Sequence, residues 1–301
     1  MKMRTAILFA LLAAALYALN APLSKLLLAD VAPSMMAALL YLGAGLGMLV
    51  LGLLRRSSPS EDRNDPDQAV SRLFARDMLP FTLGMIALDI AAPILLMAGI
   101  RMSSPESASL LNNFEIVATS LIALLLFRER ISLRLWAAIG FIVIASTLLT
   151  LQGGATVSLS AGSLLVILAS SCWGLENNCT RRLSTADPLK VVVVKGLGSG
   201  TGALIVALMA GETFPALQHV PAALLLGFVA YGLSIFFYVS AQRHLGAAKT
   251  SAYYAVAPFI GVALSLLIFR EMPSWSFFLA LGAMIAATLL VTADSFATNN
   301  T

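Results

Sequence analysis

The chain says one long sentence twice. Residues 99–150, moved by 142 positions, lie on 241–292 without a gap. Phe127-Arg128-Glu129 then falls on Phe269-Arg270-Glu271, Arg101 on Arg243, Ser109 on Ser251, Ser132 on Ser274, Gly140 on Gly282 and Thr150 on Thr292. About a quarter of the paired positions are identical, and most of the others pair apolar with apolar. Solenoid repeats have periods of roughly 20–50 residues, so this period marks a duplicated half-protein. The halves are placed at 1–151 and 152–301.

The material of each half is apolar. The chain is 59% hydrophobic and 11% charged, where a soluble domain carries about 25% charge. A membrane-spanning helix needs about 20 apolar residues, and ten segments meet that length: 5–28, 33–54, 78–99, 105–127, 132–151, 161–180, 188–211, 221–241, 247–269 and 274–293. They are numbered 1 to 10 below. Pro33, Pro105, Pro188, Pro221 and Pro273 sit at or near segment starts, where a missing N–H costs little. The fold class expected is therefore an all-α polytopic membrane protein of ten transmembrane helices. The first 21 residues imitate a signal peptide, with Lys2 and Arg4 before an apolar run. That run continues to Leu28 and has a partner in the second half, so it reads as a spanning helix. The long connection at 55–77, rich in Ser, Pro, Asp and Glu, reads as a mobile cytoplasmic loop.

Cations orient the segments. Lys2, Arg4, Arg55, Arg56, Arg63, Arg72, Arg76, Arg128, Arg130, Arg134, Arg181, Arg182, Lys190, Arg243 and Lys249 fall on one side; Lys25, Arg101 and Arg270 fall near the other. Both termini are thus expected in the cytoplasm, and the basic balance needs no nucleic acid to explain it. Segment 4 pairs with segment 9 and segment 5 with segment 10, a spacing of five helices, so equivalent elements point in opposite directions. Two inverted five-helix repeats around one central site are a natural basis for alternating access. The front of each half repeats more weakly: Tyr17-Ala-Leu-Asn20 aligns with Trp173-Gly-Leu-Glu176, Lys25 with Arg181, and the turn at Asp30 and Pro33 with Asp187-Pro188.

Ten helices in two inverted halves, with these aromatic openings, Leu-Leu-x-Phe-Arg-Glu closings and the following Gly140 and Gly282, resemble the EamA-type branch of the drug/metabolite transporter superfamily. The resemblance covers nearly the whole chain. It implies an inner-membrane carrier, often an exporter of amino acids, other metabolites or drugs. The family usually carries proline inside the penultimate helix of each half. Pro258 fits in segment 9, but its counterpart in segment 4 is Ile116, preceded by Glu115.

An ionisable side chain in hydrocarbon costs about 2.5–3.5 kcal/mol on insertion scales, so it normally faces the bundle interior. Glu115 lies near the middle of segment 4, and Asn112, Glu115 and Thr119 share a stripe by their spacing of three and four. Asn113 and Ser120 lie beside it. The stripe reads as a solute contact, with Glu115 binding an amine or coupling to protons, or as a hydrogen-bonded clamp between helices. Asp89, four residues before Pro93, either faces the cavity or accepts from backbone loosened by the proline. Glu176 and Lys195 have matching depths in segments 6 and 7 and suit an ion pair, in the site or purely structural; Asn177 follows Glu176. Tyr17 and Trp173 occupy equivalent places in segments 1 and 6 and Tyr254 matches Asn112; with Asn20 one turn from Tyr17, these aromatics suit the wall of an amphipathic solute or else interface and core packing. Tyr231 and Tyr238 share a face of segment 8 and fit either role, while Trp136 and Trp275 read as interface anchors. Gly196, Gly198, Gly200 and Gly202 read as close helix packing. Arg128-Glu129 and Arg270-Glu271 read as helix-terminus elements.

The chain is not read as an enzyme. No Ser/His or paired-Asp constellation occurs at membrane depth, Cys172 and Cys179 with His219 and His244 lack metal-ligand spacing, and no nucleotide-binding motif is present. No cofactor is expected. The expected function is a secondary-active or facilitative carrier of small polar or amphipathic metabolites such as amino acids, its cavity lined by segments 1, 3, 4, 6, 7 and 9. The alternative is a lipid-handling or structural membrane protein. A small-molecule solute and the bilayer are the expected partners, with protons as a coupling ion and a homodimer left open.

Overall fold

The computed structural model describes residues 3–56, 73–127, 132–152, 158–183, 187–245, 250 and 253–297. The ten apolar segments all appear as helix. Segments 2, 3, 5, 7 and 10 are the continuous helices Pro33–Arg56, Leu79–Met102, Leu133–Thr150, Pro188–Met209 and Trp275–Ala297. Segment 6 is Ala161–Leu183. Between segments 5 and 6 the chain makes one short antiparallel pair, Leu151–Gln152 with Ser158–Leu159, that the helical pattern does not foretell.

Four segments depart from a single straight α-helix. Segment 1 divides into Met3–Ala18 and Asn20–Leu27. Pro22 has no N–H to give the Ala18 carbonyl, so the ladder cannot run through. Segment 9 resumes as Ala257–Phe269 after a turn at Ala255 and Val256, and Pro258 likewise cannot bond the Tyr254 carbonyl. Segment 4 divides into Pro105–Leu111 and Phe114–Phe127 around Asn112 and Asn113. It has no proline there; two adjacent asparagines, whose amides compete with the backbone ladder, stand at the same place in the repeat. Segment 8 carries a π-helical turn at Phe228–Leu233 between His219–Gly227 and Ser234–Leu245.

Among the described residues, seven helices are long and apolar enough to cross a membrane by length and composition. Segments 4, 6 and 9 fall outside that set. Two are interrupted, and segment 6 carries Glu176, Asn177 and Asn178 on its last two turns.

Small residues set the packing, as expected where lipid removes the hydrophobic drive between helices. The period-two glycines of segment 7 resolve into two faces. Gly196 and Gly200 meet segment 2 at Gly45 and Leu42, while Gly198 and Gly202 meet Ile86 and Ile90 of segment 3. A Cβ on Gly196 would lie 2.5 Å from the Gly45 Cα, so the two backbones are already in contact. Segment 7 is wedged there, and Lys195 points inward from the wedge. Segments 5 and 10 pack on each other through Ala138, Ile142, Ala145, Phe277, Ala280 and Met284, in a cluster separate from the main core.

The connection expected to be mobile over 55–77 lies outside the described residues at 57–72. At its described end Leu73 is docked, buried with Met85, Leu183 and Val191 and with its carbonyl accepting from Thr82 Oγ1 at 2.6 Å, while Phe74, Arg76 and Asp77 are exposed. At the end of segment 9 Arg270 takes a left-handed conformation, φ 54°, and its N–H bonds the Leu266 carbonyl. This is the αL form of a helix C-terminus. Its counterpart Arg128-Glu129 lies outside the described residues.

Candidate functional site

Segments 3, 6 and 7 run as unbroken helices and carry one acid, one acid and one base to the same depth. Lys195 Nζ lies 3.0 Å from Asp89 Oδ2 and 3.1 Å from Glu176 Oε1. Asp89 is fully buried and accepts from Tyr41 Oη at 2.9 Å and Trp173 Nε1 at 3.2 Å. Glu176 also accepts from Thr180 Oγ1. The Glu176–Lys195 pair anticipated from depth is present, and it is one arm of a three-residue cluster that includes Asp89. Asp89 therefore has side-chain partners; Pro93 leaves the helix Leu79–Met102 continuous.

Glu115 sits at the start of the second half of segment 4. Its carboxylate accepts from Asn177 Nδ2 at 2.5 Å, and its neighbours of formal charge are Glu176 and Lys195. Segment 6 thus links both features: Glu176 faces the cluster and Asn177 faces Glu115.

The neutral side of the site is a run of tyrosines. Ring centroids are 5.1 Å apart for Tyr41 and Tyr231, 5.9 Å for Tyr231 and Tyr17, 6.0 Å for Tyr17 and Tyr254, and 5.0 Å for Tyr254 and Tyr238. These lie in the range of offset and edge-to-face ring pairs. The run touches the charged cluster through the Tyr41 hydroxyl. Asn20 is committed at both ends of its amide, donating to Tyr231 Oη at 3.0 Å and accepting from Ser24 Oγ at 3.0 Å. It ties the break of segment 1 to the π turn of segment 8.

Where the breaks of segments 1, 4 and 9 meet lies a narrow, partly open cleft of about 10 Å³, the room of a single water. Tyr17, Asn20, Ser109, Asn112, Pro258 and Gly261 line it. Asn112 Oδ1 and Asn113 Nδ2 have no hydrogen-bond partner among the described residues. Buried polar atoms are almost always paired, so Asn112 Oδ1 gives this cleft polar capacity that the fold itself does not use, while Asn113 lies off its lining. Segments 4 and 9 touch beside it, where a Cβ on Gly261 would lie 2.8 Å from Ser109 Oγ; Glu115 instead bonds segment 6.

The two ends of the bundle differ. At one end Lys25 Nζ donates to the carbonyls of Ile100, Arg101 and Ser103 at 2.7, 3.0 and 2.7 Å, tying segment 1 to the C-terminus of segment 3. The Glu212 carboxylate accepts from the N–H groups of Ser34 and Met35 at 3.2 and 2.7 Å, tying the chain after segment 7 to the start of segment 2. His219 Nε2 lies 3.6 Å from Asp30 Oδ2. Toward the other end Asn177 is exposed. The lipid-facing stripe of its helix is marked by Leu164, Leu168 and Leu175, 39%, 53% and 36% exposed. Asn177 lies nine residues beyond Leu168, about two and a half turns, on the face it shares with the buried Ser170 and Trp173. Its exposure is thus to an opening inside the bundle.

Of the residues singled out from sequence, Asp89, Trp173, Glu176 and Lys195 are brought together, Glu115 and Asn177 bond each other beside them, and Tyr17, Asn20 and Asn112 line the cleft. Asn113 and Tyr254 flank its two broken helices. Sequence reasoning missed Tyr41, Thr180 and the lining by Ser109 and Gly261, and left Tyr231 undecided. Tyr41 offered a signal: it is the one phenol in the apolar helix Pro33–Arg56, and a buried tyrosine hydroxyl needs a partner.

A family model described as the EamA-like transporter family matches this chain twice, at residues 4–151 and 160–293. An uncharacterized transporter of Methanothermobacter thermautotrophicus is 25% identical over 268 residues, covering 85% of this chain and 76% of its own. An uncharacterized transporter of Bacillus subtilis, YyaM, is 22% identical, covering 58% of this chain and 60% of its own. An uncharacterized inner membrane transporter of Escherichia coli, YedA, is 26% identical, covering 54% and 53%. A solved crystal structure shares the fold at a TM-score of 0.66 over 96% of both chains, with 18% identity.

Proposed function

This chain belongs to the EamA-like transporter family, a family of membrane transporters and not of enzymes, and from that premise we propose that it carries small polar or amphipathic solutes by alternating access. The carrying observation is the meeting of three helix breaks at one cleft with an unused polar atom, beside a buried charged cluster. Interrupted helices at mid-membrane form the binding sites of many secondary carriers, because irregular backbone is tolerated only where it lines a cavity.

The asymmetry of the two ends supports the reading. Lys25, Glu212 and the Asp30–His219 pair hold one mouth closed, while Asn177 opens toward the other. With the cation bias of the connections, the closed mouth faces outward and the open one faces the cytoplasm, with both termini inside. The two repeats are then inverted, and closing at Asn177 with opening at Lys25 gives the second access state. The membrane is the inner membrane, as for the relative in Escherichia coli. Export follows the family resemblance.

The test is flux of a labelled amino-acid and metabolite panel into proteoliposomes, with and without an imposed pH gradient, for the wild type and Glu115→Gln. Saturable flux whose pH response disappears in the variant makes Glu115 a coupling residue. Saturable flux insensitive to pH and weakened in the variant makes the protein a facilitator with Glu115 in the site. No flux across the panel from folded protein removes the carrier reading for soluble solutes and leaves lipid handling.

A further inference from the structure

The charges of the interior do not balance. Among the described residues, Asp89, Glu176 and Lys195 are nearly or fully buried and Glu115 is half-buried in the same region. Lys195 is shared between Asp89 and Glu176, and the direct partner of Glu115 is the neutral amide of Asn177. Three carboxylates therefore face one ammonium. Glu106, also buried, belongs to the closed end beside Lys25 and does not enter this count. The balance matters because an uncompensated charge in a low-dielectric interior is costly unless a proton or a counter-charge arrives.

Further features of this region suit the same sign. The unpartnered Asn112 Oδ1 on the cleft lining is an acceptor, and the unpartnered donor Asn113 Nδ2 lies off that lining. Tyr17 and Tyr254 are half-buried, lie within electrostatic reach of Glu115, and offer ring faces, which attract cations. A carboxylate on a solute would meet no uncommitted cation among the described residues.

We propose, building on the carrier reading above, that the solute is an organic cation: an amine or quaternary ammonium on an apolar body, its charged end at Glu115 and its body along Tyr17 and Tyr254. Glu115 is then the solute's counter-ion. The charged cluster repels anions and holds segments 3, 6 and 7 in register, so that Asn177 stays opposite Glu115. A zwitterionic amino acid with the same body is rejected because its carboxylate is desolvated without a partner.

Three labelled solutes with one aliphatic body separate the classes: isopentyl-trimethylammonium, leucine and N-acetyl-leucine. The quaternary ammonium keeps its charge at every pH and does not leak as a free base. Uptake is measured in proteoliposomes for the wild type, Glu115→Gln and Glu115→Asp. The expected result is saturable uptake of the ammonium, competition by leucine at least about tenfold weaker, none by N-acetyl-leucine, and loss of at least about tenfold in Glu115→Gln with partial retention in Glu115→Asp. Leucine carried as well as or better than the ammonium overturns the cation inference and leaves the carrier intact, as does ammonium uptake unchanged in Glu115→Gln. Saturable flux confined to neutral or anionic members of the wider metabolite panel overturns it too. No flux of any member overturns the carrier reading itself. Should Glu115→Gln fail to fold, thermal melting of the detergent-solubilised wild type decides: the ammonium raises Tm and leucine does not, and the reverse order defeats the inference.

Discussion

One wall of the interior is built from charges and the other from phenols, and apart from Tyr41, on the continuous helix Pro33–Arg56, they stand on different kinds of helix. Asp89, Glu176 and Lys195 project from Leu79–Met102, Ala161–Leu183 and Pro188–Met209, all continuous. Tyr17, Tyr231 and Tyr254 stand beside a break, within a π turn and beside another break. The difference follows from how steeply each interaction depends on distance. Contacts of 3.0 and 3.1 Å between buried charges collapse if one helix slides by an ångström, so they require rigid supports. Ring pairs at centroid distances of 5.0 to 6.0 Å stay favourable over a broad range, so they can ride on helices that bend. A carrier needs both kinds of support, and segment 4, which is broken and also bears Glu115, joins them.

The comparison breaks first at Lys195. Lys195→Met leaves Asp89 and Glu176 buried without their cation and is expected to cost about 3–5 kcal/mol, the usual penalty for removing one partner of a buried pair. Melting in detergent measures it, and Asp89→Asn combined with Lys195→Met recovers part of the loss. A single variant as stable as the wild type would mean that the cluster does not hold the rigid wall. The support beneath it is tested next. Gly196→Val forces a side chain into the Gly45 backbone and is expected to destabilise by about 1–3 kcal/mol. Gly282→Ala, at a site with no neighbour within 4 Å, is neutral or stabilising by up to about 1 kcal/mol.

Smaller effects sharpen the tyrosine side. Tyr231→Phe leaves Asn20 Nδ2 without its acceptor and costs about 1–3 kcal/mol, while Tyr17→Phe stays within about 0.5 kcal/mol and keeps the ring face. Equal effects of the two would show that the Asn20 tie is not structural. Pro258→Ala is also small in stability, expected within about 1 kcal/mol. It lets the ladder run through Ala255 and Val256, so uptake falls while melting hardly moves. Unchanged uptake would separate the break from transport.

Much of the architecture was legible in advance. Ten segments follow from lengths of apolar sequence, and the family follows from the duplicated closings. Glu115, Asp89, Glu176 and Lys195 could be placed in the interior without coordinates because lipid excludes them. The break at Pro258 had a visible cause. The break at Asn112 and Asn113 did not, since adjacent asparagines interrupt a helix only where neighbours accept their shape. Tyr41 was passed over because one phenol in an apolar helix gives no periodic signal.

The sequence by itself determined the number of helices, the duplication and which side chains must turn away from lipid, because hydrocarbon acts on each segment separately and leaves its mark in local composition. Only the tertiary structure decided that Lys195 serves Asp89 and Glu176 together, that Asn177 rather than another helix meets Glu115, and that three breaks open onto one cleft. Those outcomes depend on the relative position of helices far apart in the chain, set by ångström-scale contacts such as Gly196 on Gly45, and such contacts leave no pattern within any one segment.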